Sequence, residues 1–253
     1  MLRFPRWLLT LLGLTSAATT VLRAAEGVEH EGTLYHVHRV EEAKLGTLDL
    51  RWLGRDGKPL GGFEALRKEL AAEGRKLAFA TNAGIYAHGP TPCGLTISGG
   101  KELVPLSLIE GEGNFYLKPN GVFFVDDAKG AGVMEAAEYG RSGLKPRIAT
   151  QSGPLLLRKG VLHPAFKVDS PNKRLRNAVG VRKSDGQVIF VMSDRDDRVK
   201  GRVTFHQMCR FFLHLGCEDA LYLDGDISDM LVKPPTDAQL TPNTFAAMFV
   251  ISS

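Results

Sequence analysis

The stretch from Thr204 to Ser228 reads TFHQMCRFFLHLGCEDALYLDGDIS. Thr204 suits an N-cap, because its hydroxyl can accept from a backbone N–H that the first helical turn leaves without a partner. Phe205, Met208, Cys209, Phe212 and Leu213 then recur at i, i+3, i+4, i+7 and i+8, the spacing of one apolar helix face, and Gly216 stands where a helix commonly ends. His206 and His214 fall on the opposite, polar side and read as surface residues. Directly beyond, Ala220-Leu221-Tyr222-Leu223 is an apolar run of strand length that delivers Asp224-Gly225-Asp226-Ile227-Ser228 at its exit. A helix that must bury one face is thus followed by a strand that ends on a carboxylate beside a glycine.

Two other apolar runs end in the same way. Leu77 to Ala80 leads into Thr81-Asn82-Ala83-Gly84, and Arg147 to Thr150 leads into Gln151-Ser152-Gly153-Pro154. A hydrogen-bonding side chain next to a glycine, held at the end of a rigid element, suits a site that a ligand approaches closely. Further strands are predicted at Leu34 to Val40, Leu48 to Leu53, Val122 to Val125, Ala178 to Val181, Val188 to Met192 and Ala246 to Ile251. A second helix is predicted from Phe63 to Glu73, with Phe63, Leu66 and Leu70 on one face and Gly74 as its stop. Strands outnumber helices and do not alternate with them regularly. The pattern therefore predicts an α+β fold: a single domain on a mixed, largely antiparallel sheet with a few packed helices, and not a doubly wound one.

The chain opens with Arg3 and Arg6 and no acid, runs uncharged from Trp7 to Ala18, and carries small residues at Ser16, Ala17, Ala18, Ala24 and Ala25. This predicts a signal peptide over residues 1–25 ahead of one domain over residues 26–253, and a periplasmic or secreted protein. An uncleaved leader acting as a tether is the alternative. No later run approaches the roughly 20 apolar residues needed to cross a bilayer. The net charge of +4 is spread through mixed-sign runs without a basic cluster, which speaks against nucleic acid as a partner. Three cysteines, Cys93, Cys209 and Cys217, are an odd number for an exported chain, so at least one is free or pairs between chains. Cys209 reads as a buried small hydrophobe, and a disulfide from Cys93 to either of the others stays open. Asp194, Asp196 and Asp197 lack calcium-loop spacing and read as an exposed loop.

Several longer stretches go further. Thr81-Asn82-Ala83-Gly84-Ile85-Tyr86, Pro92-Cys93-Gly94-Leu95 before Gly99-Gly100-Lys101, and Gly113-Asn114-Phe115-Tyr116-Leu117-Lys118-Pro119-Asn120-Gly121 resemble bacterial members of the phosphodiester glycosidase family. So do Ala149-Thr150-Gln151-Ser152-Gly153-Pro154, Arg176-Asn177-Ala178-Val179-Gly180 and the segment from Gly216 through Gly225. This is the family of the lysosomal uncovering enzyme, which removes N-acetylglucosamine from a phosphodiester. The resemblance implies an exported hydrolase of a small-molecule or polymeric sugar phosphodiester. Where the family often has Asp-Gly-Gly before a serine, this chain has Asp224-Gly225-Asp226-Ile227-Ser228, so the reaction type carries over without the sugar specificity.

Such a reaction releases a phosphate monoester, whose second pKa is about 6, so it leaves more readily than a sugar alcohol and needs less help from a general acid. The site then needs a carboxylate and a group to hold the phosphate. Asp224 is the candidate carboxylate, with Asn82 beside it. Arg176 is the candidate for the phosphate, since a guanidinium can grip two of its oxygens. Asn82, Gln151 and Ser152 would orient hydroxyls or phosphate, and Gly84, Gly94, Gly153, Gly225 and Ser228 would complete the substrate-binding shell. No resident cofactor is expected. Two readings compete: a non-catalytic glycan-binding module, and a phosphodiesterase using a divalent cation on Asp224 and Asp226, with Asp229 nearby.

Overall fold

The computed structural model describes residues 25–231 and 244–253, so the leader expected over residues 1–25 lies outside the described residues except for Ala25. Each predicted strand has a counterpart, and among the described residues every strand ladder is antiparallel. A seven-stranded sheet runs in the order Glu26–His30, Thr33–Val40, Gln187–Ser193, Asn177–Arg182, Asp219–Asp224, Leu155–Arg158, Val161–Leu162. A five-stranded sheet runs Gly130–Glu135, Gly121–Asp126, Ile148–Ser152, Thr96–Ser98, Lys101–Val104, and a three-stranded sheet runs Leu48–Arg51, Met248–Ser252, Leu77–Asn82. Tyr86–Ala87 and Thr91–Pro92 form a short hairpin of their own. Among the described residues there are three α-helices: α1 (Phe63–Ala72), α2 (Ala136–Tyr139) and α3 (Phe205–His214).

The three larger sheets meet around one apolar core, to which each contributes side chains: Phe190, Val179 and Leu221 from the first, Phe123 and Ile148 from the second, Phe79 and Phe249 from the third. At its centre Phe190 lies 5.4 Å from Phe79 and 5.1 Å from Phe249, and Phe123 meets Phe249 edge-on at 5.3 Å. Offset and edge contacts of this kind are favoured over face-to-face stacking, and they hold the three sheets together.

The other face of the seven-stranded sheet is covered by α3. Thr204 accepts from Gln207 N at 3.1 Å while Gln207 Oε1 accepts from Thr204 N at 2.9 Å, a reciprocal cap that fixes where the helix begins. The buried stripe differs from the predicted one: Phe211 is 0% exposed and Leu213 is 39% exposed. Met208, Phe211, Phe212 and Leu215 satisfy the same spacing, and Phe211 wins the inner position because its ring stacks on Tyr35 at 3.9 Å. Phe212 comes so close to the sheet that a Cβ on Gly180 would sit 2.7 Å from its ring. Asp194 also departs from the exposed loop expected of it. It is 7% exposed, pairs with His36 at 2.7 Å, and its Oδ1 accepts from the backbone N–H groups of Asp196 and Asp197. All three cysteines are free, with Cys209 and Cys217 buried.

Replacing Phe190 with alanine removes the ring that both other sheets touch. We expect Phe190→Ala to lower unfolding free energy by about 3–5 kcal/mol in chemical denaturation. A loss below about 1 kcal/mol would show that the sheets are held elsewhere.

Candidate active site

Three strand ends converge, one from each large sheet. Asn82 ends its strand in the three-stranded sheet, Ser152 ends its strand in the five-stranded sheet, and Asp224 ends its strand in the seven-stranded sheet. Asn82 Nδ2 donates to Ser228 Oγ at 3.2 Å, and its Oδ1 accepts from Asn177 Nδ2 at 2.9 Å and Asp229 N at 3.3 Å. Asn177 lies opposite Asp224 in the ladder between strands Asn177–Arg182 and Asp219–Asp224. Thr81 Oγ1 donates to the Asp229 carbonyl at 2.9 Å and accepts from Asn177. Ser152 Oγ donates to the Leu223 carbonyl at 3.1 Å and accepts from Ile85 N at 3.3 Å. The backbone on both sides of Asp224 and the turn that follows it are thereby fixed by buried polar side chains.

Asp224 opens into a cleft of about 660 Å³ lined by Ile85, Tyr86, Ala87, His88, Gly89, Pro90, Asp226, Ile227 and Thr244. Burial pushes its carboxyl up to about 6; the charge of Asp226 adds to that rise, and the hydrogen bond from Gly225 N at 2.7 Å works against it. Burial pushes the Tyr86 phenol and the Cys93 thiol above their ordinary values, and the charge of Asp224 adds to both rises. Tyr86 OH donates to the Thr244 carbonyl at 2.6 Å.

Of the catalytic and substrate-binding residues singled out in the sequence, only Asp224 lines the cleft, with Asp226 of the alternative cation site beside it. Asn82, Ser152 and Ser228 surround it from behind, buried and bonded to protein partners. Gln151 faces away: Oε1 accepts from Leu95 N and Ser107 N, and Nε2 donates to the Ser107 carbonyl, so it pins two loops together. Gly94 is needed for that clamp, since a Cβ there would collide with Gln151 Oε1. Gly84 adopts φ +134°, a conformation L side chains rarely take, and turns the chain into Ile85 and the cleft wall. Gly225 packs under Tyr222, where a Cβ would come within 2.6 Å of the phenol oxygen. A Cβ on Gly153 would meet the Phe115 carbonyl at 2.8 Å.

Arg176 is the main departure. It is 1% exposed, its Nε donates to the Val203 carbonyl at 2.8 Å, its Nη2 donates to the Asn172 carbonyl at 3.0 Å, and its guanidinium stacks 3.6 Å from the centre of the Phe205 ring. Burial lowers its pKa from the ordinary arginine value. Directly before strand Asn177–Arg182, it turns into the gap between α3 and the sheet and not toward the cleft, so it does not take the phosphate-holding position expected of it. Asn177 and Tyr86, by contrast, sit inside motifs quoted from the sequence without having been singled out as site residues, and Arg195 donates to the Ser228 carbonyl at 2.5 Å. Among the described residues, no three His, Cys, Asp or Glu side chains are gathered so as to hold a metal ion, so Asp224, Asp226 and Asp229 do not form the cluster considered for them.

Known proteins sharpen the picture. The chain is 33% identical over 183 residues to the uncharacterized Escherichia coli protein YigE, covering 72% of this chain and 68% of that one. Its fold matches the zebrafish N-acetylglucosamine-1-phosphodiester alpha-N-acetylglucosaminidase catalytic domain, auto-inhibited by its pro-peptide, with a TM-score of 0.61 at 17% identity over 90% of this chain and 81% of that one. A hypothetical protein from Synechocystis shares the fold with a TM-score of 0.53 at 14% identity, over 90% of this chain and 61% of that one. The sequence model of one family, phosphodiester glycosidase, matches residues 75–251, which hold every strand end of the site. The chain belongs to the phosphodiester glycosidase family.

Proposed function

We propose that this protein is an exported hydrolase that cleaves the glycosidic C–O bond of a sugar 1-phosphodiester, with Asp224 as the catalytic carboxylate. The observation that carries the reading is one carboxylate, raised to about 6, opening from a rigid strand end into a cleft in a chain of this family. A cleft of about 660 Å³ falls within the roughly 300–1,000 Å³ of small-ligand sites.

In the proposed reaction a water oxygen attacks the anomeric carbon while Asp224 takes its proton, and the bond from that carbon to the bridging oxygen breaks. The phosphate monoester leaves as an anion, with its second pKa of about 6, so the step does not depend on a strong general acid. A base near neutrality is well matched to such proton transfer. The buried amides and hydroxyls of Asn82, Asn177, Ser152 and Ser228 act on the carboxylate's position rather than on the sugar. Export rests on the basic start and uncharged run from Trp7 to Ala18, and places the enzyme in the periplasm or outside the cell.

Two measurements test the assignment. Asp224→Asn should cut hydrolysis of a sugar 1-phosphodiester by about 10²–10⁴ fold, the range for a positioned base. The same variant should not melt lower at pH 7: a carboxyl whose folded pKa lies above its unfolded value of about 3.9 loses stabilising effect as pH rises through that interval, so removing the charge relieves a cost. A markedly lower melting temperature, or full activity, would make Asp224 a structural residue. For the wild type, kcat/KM should fall as pH drops through about 6 and stay level just above it; a profile flat down to pH about 4, the ordinary carboxylate range, would contradict the role given to Asp224.

A further inference from the structure

The cleft presents two carboxylates, Asp224 and Asp226, and among its described lining residues His88 alone could carry a positive charge. A substrate phosphate therefore needs a cation from the rim. Three arginines come near. Arg176 is buried and spends its N–H groups on the carbonyls of Val203 and Asn172. Arg195 spends Nη1 on the Ser228 carbonyl. Arg174 differs from both: its side chain is 64% exposed, and its Nη1 lies 3.5 Å from Oδ2 of Asp226, itself 55% exposed.

The backbone of Arg174 is nonetheless well fixed. It exchanges both N–H and carbonyl with Val203, at 3.0 and 2.9 Å, beside the start of α3. Asp226 is fixed as well, since its Oδ1 accepts from Leu175 N at 3.3 Å. A solvent-exposed ion pair of this length contributes little to stability, so an incoming anion can displace it at little cost. Behind it, the buried Arg176 guanidinium feels the charges of both Asp226 and Arg174.

Building on the proposed function, we propose that Arg174 is the residue that binds the substrate phosphate, and that Asp226 is the counter-ion that holds its guanidinium at the cleft rim until a phosphate replaces it. A guanidinium can meet two phosphate oxygens at once. Asp226 then tunes specificity: its charge weakens the hold on a doubly charged phosphate more than on the singly charged diester, which favours binding of substrate and release of product.

The test compares wild type, Arg174→Ala, Arg174→Lys and Asp226→Asn, reading KM for a sugar 1-phosphodiester and the inhibition constants of inorganic phosphate and of the free product sugar. Asparagine can still accept from Leu175 N, so the turn is kept. Arg174→Ala should raise both the diester KM and the phosphate inhibition constant about tenfold, the size of one charge-assisted hydrogen bond of about 1.5 kcal/mol, while the constant for the neutral sugar stays within about twofold. Arg174→Lys should recover part of the loss, and Asp226→Asn should tighten phosphate inhibition severalfold. Opposite shifts from the two sides of one ion pair are not expected of two merely structural residues. Unchanged phosphate inhibition in Arg174→Ala, or an equal weakening for sugar and phosphate, would overturn the assignment. If the wild type hydrolyses no sugar phosphodiester, the proposed function falls by itself, and calorimetric titration of inorganic phosphate into the same four proteins still decides the role of Arg174 by the same opposite shifts.

Discussion

The structure depends on a buried hydrogen bond between two amides, Asn177 Nδ2 to Asn82 Oδ1 at 2.9 Å. It joins the end of a strand in the three-stranded sheet to the start of one in the seven-stranded sheet, where no water can substitute for either partner. A buried amide left without its partner costs about 1–3 kcal/mol, so the two sheets cannot slip past one another without losing it. Ser152, donating to the Leu223 carbonyl, makes the equivalent tie from the five-stranded sheet. The phenylalanine core supplies cohesion that has little direction. These polar ties supply the register, and Asp224 sits where they meet.

A division of labour follows. The amides and hydroxyls that a reader would first assign to substrate are spent on the protein, and the groups that face the cleft are fewer: Asp224, Tyr86, His88, Asp226 and Thr244. Rigid support lets a carboxylate stay in a partly buried position that raises its pKa to about 6, a condition that costs stability while it suits acid–base chemistry. The glycines at positions 94 and 225 serve the same end, since each lets a neighbouring side chain come closer than any Cβ would allow.

The strands and the long helix were legible because their apolar runs are dense: Val188 to Met192 and Ala220 to Leu223 leave little choice of conformation. Leu155–Arg158 is a dense apolar run that went unread all the same; the other strands that were missed lack that signal. Gly130–Glu135 carries two glycines, Thr96–Ser98 is three residues long, and Glu26–His30 is a polar edge strand. The convergence of Asn82, Ser152 and Asp224 was visible as a repeated pattern of strand, polar residue and glycine. Which side chain of each trio faces the cleft was not visible, because that depends on which way each strand end turns as the three sheets meet. Arg176 shows the difficulty plainly. Its neighbour Arg174 is exposed two residues earlier, and only the packing of Phe205 and Tyr222 decides that Arg176 turns inward. Residues 232–243, which precede Thr244 at the cleft, lie outside the described residues.

The central claim is that Asp224 directs water to a sugar carbon rather than to phosphorus. Hydrolysis of a sugar 1-phosphodiester in water enriched in oxygen-18, followed by mass spectrometry of both products, reads this directly. The account predicts the heavy isotope in the anomeric hydroxyl of the released sugar; finding it in the released phosphate would contradict the account.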